Sequence, residues 1–219
     1  MNGRREMTLK EAQSAYLNRV EEIHQLQSKT VRWVCLYNDD EAHVARHKMR
    51  YENDNVLFNI PIYPWHNNKQ ARMLFCYANG HVNVLNPYNL LKDKLRYEGF
   101  KKSGYNKSSQ LMRVFVCDKK DYLVICSRNS QGFPYIKAVS LDSRTVHASM
   151  CAMGNIFVKE GTPYRWMLVP WELKSWIRPI ILRNTGLGYP LEEYIRYKDL
   201  IEFEKWASKV STPPMVSIS

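Results

Sequence analysis

The sequence lacks several features that would assign it to a familiar class of protein. No apolar run approaches the roughly 20 residues of a membrane-spanning helix. The basic residues of Met1–Lys10 are not followed by the apolar core of a secretory signal. No Cys-x-x-Cys pair occurs, because the cysteines stand singly at Cys35, Cys76, Cys117, Cys126 and Cys151. Four of the five lie in apolar runs, which favours reduced core thiols and a cytoplasmic protein. Because the sequence shows no apolar span and no signal, we expect no membrane partner.

Signatures of catalysis and of metal binding are also missing. The sequence has no Gly-x-Ser-x-Gly elbow, no Walker loop and no Gly-x-Gly-x-x-Gly fingerprint. Adjacent carboxylates such as Asp39-Asp40 do not face each other as an acid–base pair would. His43 and His47 would share one face of a helix, but the cysteine pair that usually completes a zinc site is absent. We therefore expect no enzymatic activity, no cofactor and no metal.

Positive charge is in excess along the chain. The 219 residues include 32 Lys+Arg and 21 Asp+Glu, which gives a formal net charge of +11 and a pI of about 9.4. Hydrophobic residues make up 45% and charged residues 24%, as in a folded globular protein. A protein this basic attracts polyanions, of which nucleic acid is the commonest inside a cell. A solvated cationic surface without a partner is the alternative.

The basic residues concentrate between positions 92 and 128. Only Asp93 and Glu98 oppose them from 92 to 107. Lysine and arginine neutralise phosphates and position a protein on DNA without reading its sequence. We expect the interleaved Tyr97, Phe100 and Tyr105 to anchor the segment to a sheet instead of stacking on bases. The predicted nucleic-acid contacts are Lys92, Lys94, Arg96, Lys101, Lys102, Lys107, Arg113, Lys119, Lys120 and Arg128.

Two helices are predicted to frame the chain. Thr8–Glu11 is a capping box, and the apolar spacing that follows it predicts a helix from Leu9 to about Ser28. Pro190 suits a first helical turn, so a second helix is predicted from Leu191 to about Val210. The predicted division is an N-terminal helix over 1–30, a β-rich repeat domain over 31–183, and a C-terminal helix with a tail over 184–219.

Between the helices, runs of β-branched and aromatic residues predict strands. Val31–Tyr37 and Asn55–Ile60 each read as a strand, and Pro61 limits the second to a strand end or a sheet edge. Asn79-Gly80 predicts a tight hairpin turn in which both residues take a positive φ. Repeated hairpins that bury one face must stack on their neighbours, as in propeller-like folds. The prediction is a mainly β (α+β) fold with antiparallel hairpins over 72–85, 122–139 and 155–169.

The stretch from Met73 to about Phe157 resembles the C-terminal β-pinwheel domain of the A subunit of DNA gyrase and topoisomerase IV. Phe75–Leu85 looks like the strand pair of a blade, as does Leu123–Ser127 with Tyr135–Lys137. Lys101–Lys107 resembles the basic loops between blades that contact DNA in that family. The resemblance implies a pinwheel fold that holds DNA. No Gln-Arg-Arg-Gly-Gly-Arg-Gly-like box for wrapping is present, and neither the strand-cleaving tyrosine domain nor an ATPase accompanies the match.

The sequence therefore predicts a non-catalytic, largely sequence-tolerant DNA-binding protein that acts through a basic surface and could bend or wrap DNA. Duplex DNA is favoured over RNA. The alternative is an interaction component of a phage, mobile-element or nucleoprotein assembly. In that alternative the tryptophan-rich Trp166–Trp176 region or the N-terminal helix would dock a protein partner, although a core position is favoured for the tryptophans.

Overall fold

The computed structural model of the chain describes residues 6–26, 32–37, 42–45, 56–62, 69–87, 104–182 and 186–210. The helices in these residues are α1 (Leu9–Leu26), α2 (Lys174–Leu182) and α3 (Tyr197–Val210). The strands are β1 (Arg32–Tyr37), β2 (Ala42–Ala45), β3 (Val56–Ile62), β4 (Ala71–Tyr77), β5 (His81–Leu85), β6 (Leu111–Asp118), β7 (Tyr122–Arg128), β8 (Pro134–Ser140), β9 (Asn155–Ile156), β10 (Thr162–Val169) and β11 (Tyr189–Pro190). The predicted mainly β fold is confirmed.

The strands form three antiparallel sheets that share one plan. Sheet A has the order β2-β1-β3, sheet B the order β6-β4-β5-β9, and sheet C the order β10-β7-β8-β11. In each sheet two consecutive strands pair, and a later strand adds to the outer side of the first of them. Sheets B and C add a two-residue strand on the other side. The repeating unit is therefore a hairpin plus a returning strand.

The sheets stack in layers, with sheet B in the middle. Alternate residues of a strand point to opposite faces, and every residue of β4 is buried. Met73 and Phe75 pack with Val34 of sheet A, whereas Leu74 packs with Leu123 of sheet C. Sheet B is thus covered on both faces, which explains why Met73–Tyr77 of β4 is a continuous apolar run.

The helices form the last layer, on the face of sheet C that points away from sheet B. Val124 of β7 packs with Trp176 of α2 and Phe203 of α3. Tyr16 of α1 lies edge-on to Phe203, with ring centroids 5.5 Å apart. The indole N–H of Trp176 donates to the Met7 carbonyl at 2.8 Å, which fixes the start of α1.

In the part of the chain that the structure describes, no helix is both long enough and apolar enough to cross a membrane.

The predicted capping box forms at the start of α1. The Glu11 carboxylate accepts the Thr8 backbone N–H at 2.7 Å, and the Thr8 hydroxyl accepts the Glu11 N–H at 3.3 Å. The predicted start of the C-terminal helix at Leu191 is wrong. Leu191–Glu193 is a single 3-10 turn, and Tyr194 is extended, with φ −88° and ψ 92°. Its hydroxyl donates to the buried Trp176 carbonyl at 3.0 Å, so tertiary packing delays α3 to Tyr197.

Two of the three predicted hairpins form, β4–β5 and β7–β8. The turn of the first differs from the prediction, because Gly80 alone has a positive φ (83°) and three residues separate Tyr77 from His81. The hairpin predicted over 155–169 is wrong. β9 pairs with β5 in sheet B, while β10 pairs with β7 in sheet C. The two strands thus pair with the free edges of two different sheets and not with each other.

Two predictions concern β2 and β3. β3 pairs with β1 at one edge of sheet A, so the expected edge position of Pro61 is confirmed. The helical alignment of His43 with His47 is wrong, because His43 lies on strand β2, opposite Cys35 of β1. His47 lies outside the described residues.

The short strands β9 and β11 each follow a glycine with a positive φ, Gly154 at 84° and Gly188 at 99°. A Cβ at Gly154 would overlap the Val82 carbonyl, and a Cβ at Gly188 would lie 2.6 Å from the Ile136 oxygen. The two glycines occupy equivalent places in sheets B and C. They let the chain approach the backbone of the neighbouring strand closely.

Candidate nucleic-acid interface

Half of the cations predicted to contact nucleic acid lie outside the described residues. They are Lys92, Lys94, Arg96, Lys101 and Lys102. The other half lie on or beside strands of sheets B and C: Lys107, Arg113, Lys119, Lys120 and Arg128.

Three of these cations lie at the end of the sheets that carries the β4–β5 turn, called the turn end below. Lys107 follows Asn106, whose backbone N–H donates to the Tyr77 hydroxyl at 3.0 Å. Arg113 lies opposite Cys76, next to the same end of β4. Arg128 is the last residue of β7. All three side chains are exposed.

The turn ends of sheets B and C are joined through the segment before β10. The Gly80 carbonyl of the β4–β5 turn accepts the backbone N–H of Val158 at 3.1 Å. Three residues later, Gly161 lies against the Arg128 backbone. Arg128 of sheet C therefore lies at the same end as Lys107 and Arg113 of sheet B.

Lys119 and Lys120 lie at the opposite end. The Lys119 N–H donates to the carbonyl of Gln70, just before β4, at 2.7 Å. β7 separates Lys120 from Arg128, and its seven residues span about 23 Å at the usual strand rise. The five described cations follow one another along the sequence, but the structure places them at two opposite ends of the sheets.

Acidic groups lie beside this second pair of cations. The Lys119 ammonium pairs with Asp142 at 3.0 Å. Asp118 accepts the Lys120 backbone N–H at 2.9 Å, and Asp121 closes the same turn. The positive potential is therefore partly neutralised at this end.

The aromatic residues near the cations have different roles. Tyr105 is buried in the core between sheets A and B, so the expected anchoring role is confirmed. The Lys107 ammonium lies 4.8 Å from its ring centroid. The Arg128 guanidinium lies 5.0 Å from the Tyr164 ring. Tyr97 and Phe100 lie outside the described residues.

A feature of the charge distribution was missed by sequence reasoning. The described stretches 69–87, 104–117, 122–141 and 143–159, called the acid-free body below, contain no Asp or Glu. The stretches 6–26, 160–182 and 186–210, which hold the three helices, together contain 11 acidic and 9 basic residues. The cations of the acid-free body are Lys69, Arg72, Lys107, Arg113, Arg128, Lys137, Arg144 and Lys159. A segment-by-segment count of charge could have found this asymmetry.

Buried thiols contribute no reactive group to this surface. Burial raises the pKa of Cys76 and of Cys117 well above the ordinary value. Burial likewise raises the pKa of Cys126 to about 12. The three thiols are therefore protonated core residues, as the apolar runs predicted.

The tryptophan-rich region lies mostly in the core, as favoured from the sequence. Trp166 is buried between sheets B and C. Trp176, on α2, is buried between the helices and sheet C. Trp171 is 48% exposed, and the Lys120 ammonium lies 5.9 Å from its ring. The N-terminal helix α1 packs on α3 of the same chain.

The fold defines the class as a mainly β protein of stacked antiparallel sheets. No family model matches the sequence, and no curated protein matches it. The structure is similar to the crystal structure of the C-terminal domain of DNA topoisomerase IV, with a TM-score of 0.41 and 10% sequence identity. The match covers 68% of this chain and 50% of that chain, so the protein spans half the length of that solved chain. This solved structure is of the domain that the stretch from Met73 to about Phe157 resembles in sequence.

Proposed function

We propose that the protein is a non-catalytic cytoplasmic DNA-binding protein that holds duplex DNA through its acid-free body, largely without regard to sequence. The observation that carries the proposal is the separation of charge. The acid-free body carries eight cations, and the acids that interrupt it are Asp118 and Asp121 at the β6–β7 turn and Asp142 after β8, while the helical stretches are nearly balanced. A surface of one sign concentrates the field and attracts a polyanion.

The chemistry of the cations favours contact with the phosphate backbone. Lys107, Arg113 and Arg128 are exposed and are held by ordered strands and turns of two sheets. Lysine and arginine on such a scaffold neutralise phosphates and release counterions, whatever the base sequence. The distance of about 23 Å along β7 is shorter than one helical turn of DNA, about 34 Å. Cations at the two ends of the sheets are therefore separated by less than one helical turn of a duplex.

A comparison of charge-reversal variants tests the proposal. The variant K107E/R113E/R128E reverses the turn end, and K198E/K205E/K209E reverses three exposed lysines of α3 as a matched control. Affinity for a duplex of about 25 base pairs is measured by fluorescence anisotropy at two salt concentrations. Single-stranded DNA and RNA of equal length are measured in parallel. Circular dichroism checks that each variant is folded.

The turn-end variant is expected to lose at least about tenfold in duplex affinity at low salt, and the control much less. Duplex is expected to bind more tightly than RNA or single strands. Equal losses of duplex affinity in both variants would contradict the assignment of DNA binding to this surface. Absence of wild-type binding to any nucleic acid would remove the proposed function.

A further inference from the structure

The β7–β8 turn carries an exposed aromatic ring at its tip. Phe133 is 60% exposed, although phenylalanine is among the residues most often buried. The side-chain oxygen of Asn129 accepts the backbone N–H groups of Gln131 at 3.0 Å and of Phe133 at 2.9 Å. The Asn129 N–H donates to the Phe133 carbonyl at 3.0 Å. The turn therefore holds the backbone of Phe133 in place while much of its ring lies in solvent.

A cation and a second exposed aromatic residue lie across the same end of sheet C. Arg128 is paired with Pro134, the residue after Phe133, on one side and with Thr162 on the other. Its guanidinium lies 5.0 Å from the ring centroid of Tyr164, which is 39% exposed. The register of β10 against β7 shifts at Tyr164, and such a bulge redirects a side chain. This end of sheet C thus presents Phe133, Arg128 and Tyr164 together.

The charge of the hairpin favours an anionic partner for these residues. No Asp or Glu occurs from 122 to 141, the stretch that contains β7, the turn and β8. Duplex DNA offers both an anionic backbone and, between its base steps, flat apolar surfaces. Proteins that bend DNA insert apolar side chains such as Phe or Leu between base steps, beside cations that contact phosphates. The combination of Phe133 and Arg128 fits this chemistry.

We propose that Phe133 is a wedge that enters a base step of duplex DNA, while Arg128 contacts a neighbouring backbone phosphate. The identity of the partner rests on the proposed function, and the wedge adds to it a contact that is not electrostatic. Insertion separates two base pairs, and the cost is lowest where a step is mismatched. The ordered turn loses little conformational freedom when the ring inserts. The wedge therefore predicts a preference for duplexes with a weakened step.

The first experiment measures this preference. Affinity for a fully paired duplex and for the same duplex with a mismatched central step is measured against salt for wild type, F133A, F133L and I195A. Ile195, which precedes α3 and is 87% exposed, is the matched apolar control. Circular dichroism checks that each variant is folded.

Wild type, F133L and I195A are expected to bind the mismatched duplex at least about fivefold more tightly than the paired duplex. F133A is expected to bind both duplexes equally, with an unchanged salt slope, because it loses no phosphate contact. A wild type without the preference, or an F133A variant that retains it, would overturn the wedge while leaving DNA binding intact. A wild type that binds neither duplex would overturn the proposed function.

The second experiment observes the unstacking of a base at saturating protein. A 2-aminopurine beside the mismatched step fluoresces more strongly when it is unstacked. Wild type is expected to raise this fluorescence at least about twofold, and F133A to raise it less than half as much. Equal increases for wild type and F133A would overturn the insertion of Phe133.

Discussion

Arg19 of α1 forms a two-pronged salt bridge with Asp121 of the β6–β7 turn, with both N···O distances 2.9 Å. The Asp121 side chain is 2% exposed and that of Arg19 18%. Asp121 also accepts the backbone N–H groups of Asp118 at 3.0 Å and Trp171 at 3.2 Å. One carboxylate thus joins the N-terminal helix, the turn between sheets B and C, and the segment before α2.

Removal of Arg19 leaves this buried carboxylate without its counter-ion. Arg19→Ala is expected to lower the free energy of unfolding by about 2–4 kcal/mol. Urea unfolding followed by tryptophan fluorescence measures the change. Lys10→Ala, an exposed position on the same helix, serves as control and should cost less than about 0.5 kcal/mol. Equal effects of the two substitutions would show that the salt bridge contributes nothing specific.

The glycines before β9 and β11 should be more sensitive than a glycine with similar φ in open space. Gly132 has φ 87°, and a Cβ there would meet nothing within 4 Å. Gly132→Ala is therefore expected to cost about 1 kcal/mol from backbone conformation alone. Gly154→Ala adds an overlap with the Val82 backbone and should cost at least about 2 kcal/mol more. Thermal unfolding compares the variants, and similar midpoints for both would contradict the predicted close approach.

Lys137 should reduce stability, because it is buried and because burial and the positive charges of Arg144 and Lys159 lower its pKa in the folded state. Lys137→Met is expected to raise the free energy of unfolding by roughly 0.5–2 kcal/mol near neutral pH. Urea unfolding measures the change, and a destabilised variant would contradict this prediction.

The same residue predicts a pH dependence. The pKa of Lys137 is lower in the folded than in the unfolded chain, so the unfolded state binds more protons between the two values. Stability contributed by this group therefore rises as the pH increases from the folded pKa towards the ordinary value of 10.5. Any contribution of tyrosine ionisation to stability is the same in wild type and in Lys137→Met, so it cancels when the two are compared at each pH. The advantage of the variant should shrink in alkali, and a constant difference would refute the shift.

Local signals in the sequence predicted local structure well. The capping box at Thr8 and the Asn79-Gly80 turn each depend on residues within a few positions of one another, and both elements form. The 155–169 hairpin failed for a different reason. The segments around Asn155 and Trp166 have residue patterns suited to strands. Each pairs with a free sheet edge, the first in sheet B and the second in sheet C. Strand propensity alone does not specify such an edge.

The basic surface shows the same contrast. Lys120 and Arg128 are eight positions apart in sequence, yet an extended strand places them at opposite ends of a sheet. The run of charge was visible in the sequence, but its division between two ends of the sheets was not.

The central claim, that the acid-free body holds the DNA backbone, is tested most directly by the salt dependence of duplex affinity for the wild-type protein. Titrations between 50 and 200 mM salt should give a linear fall of log affinity with log salt, with a slope of about −4 for four to five phosphate contacts. Changing the base sequence of the duplex should leave the slope and the affinity nearly unchanged. Absence of binding at 50 mM salt, or an affinity that does not respond to salt, would contradict the claim.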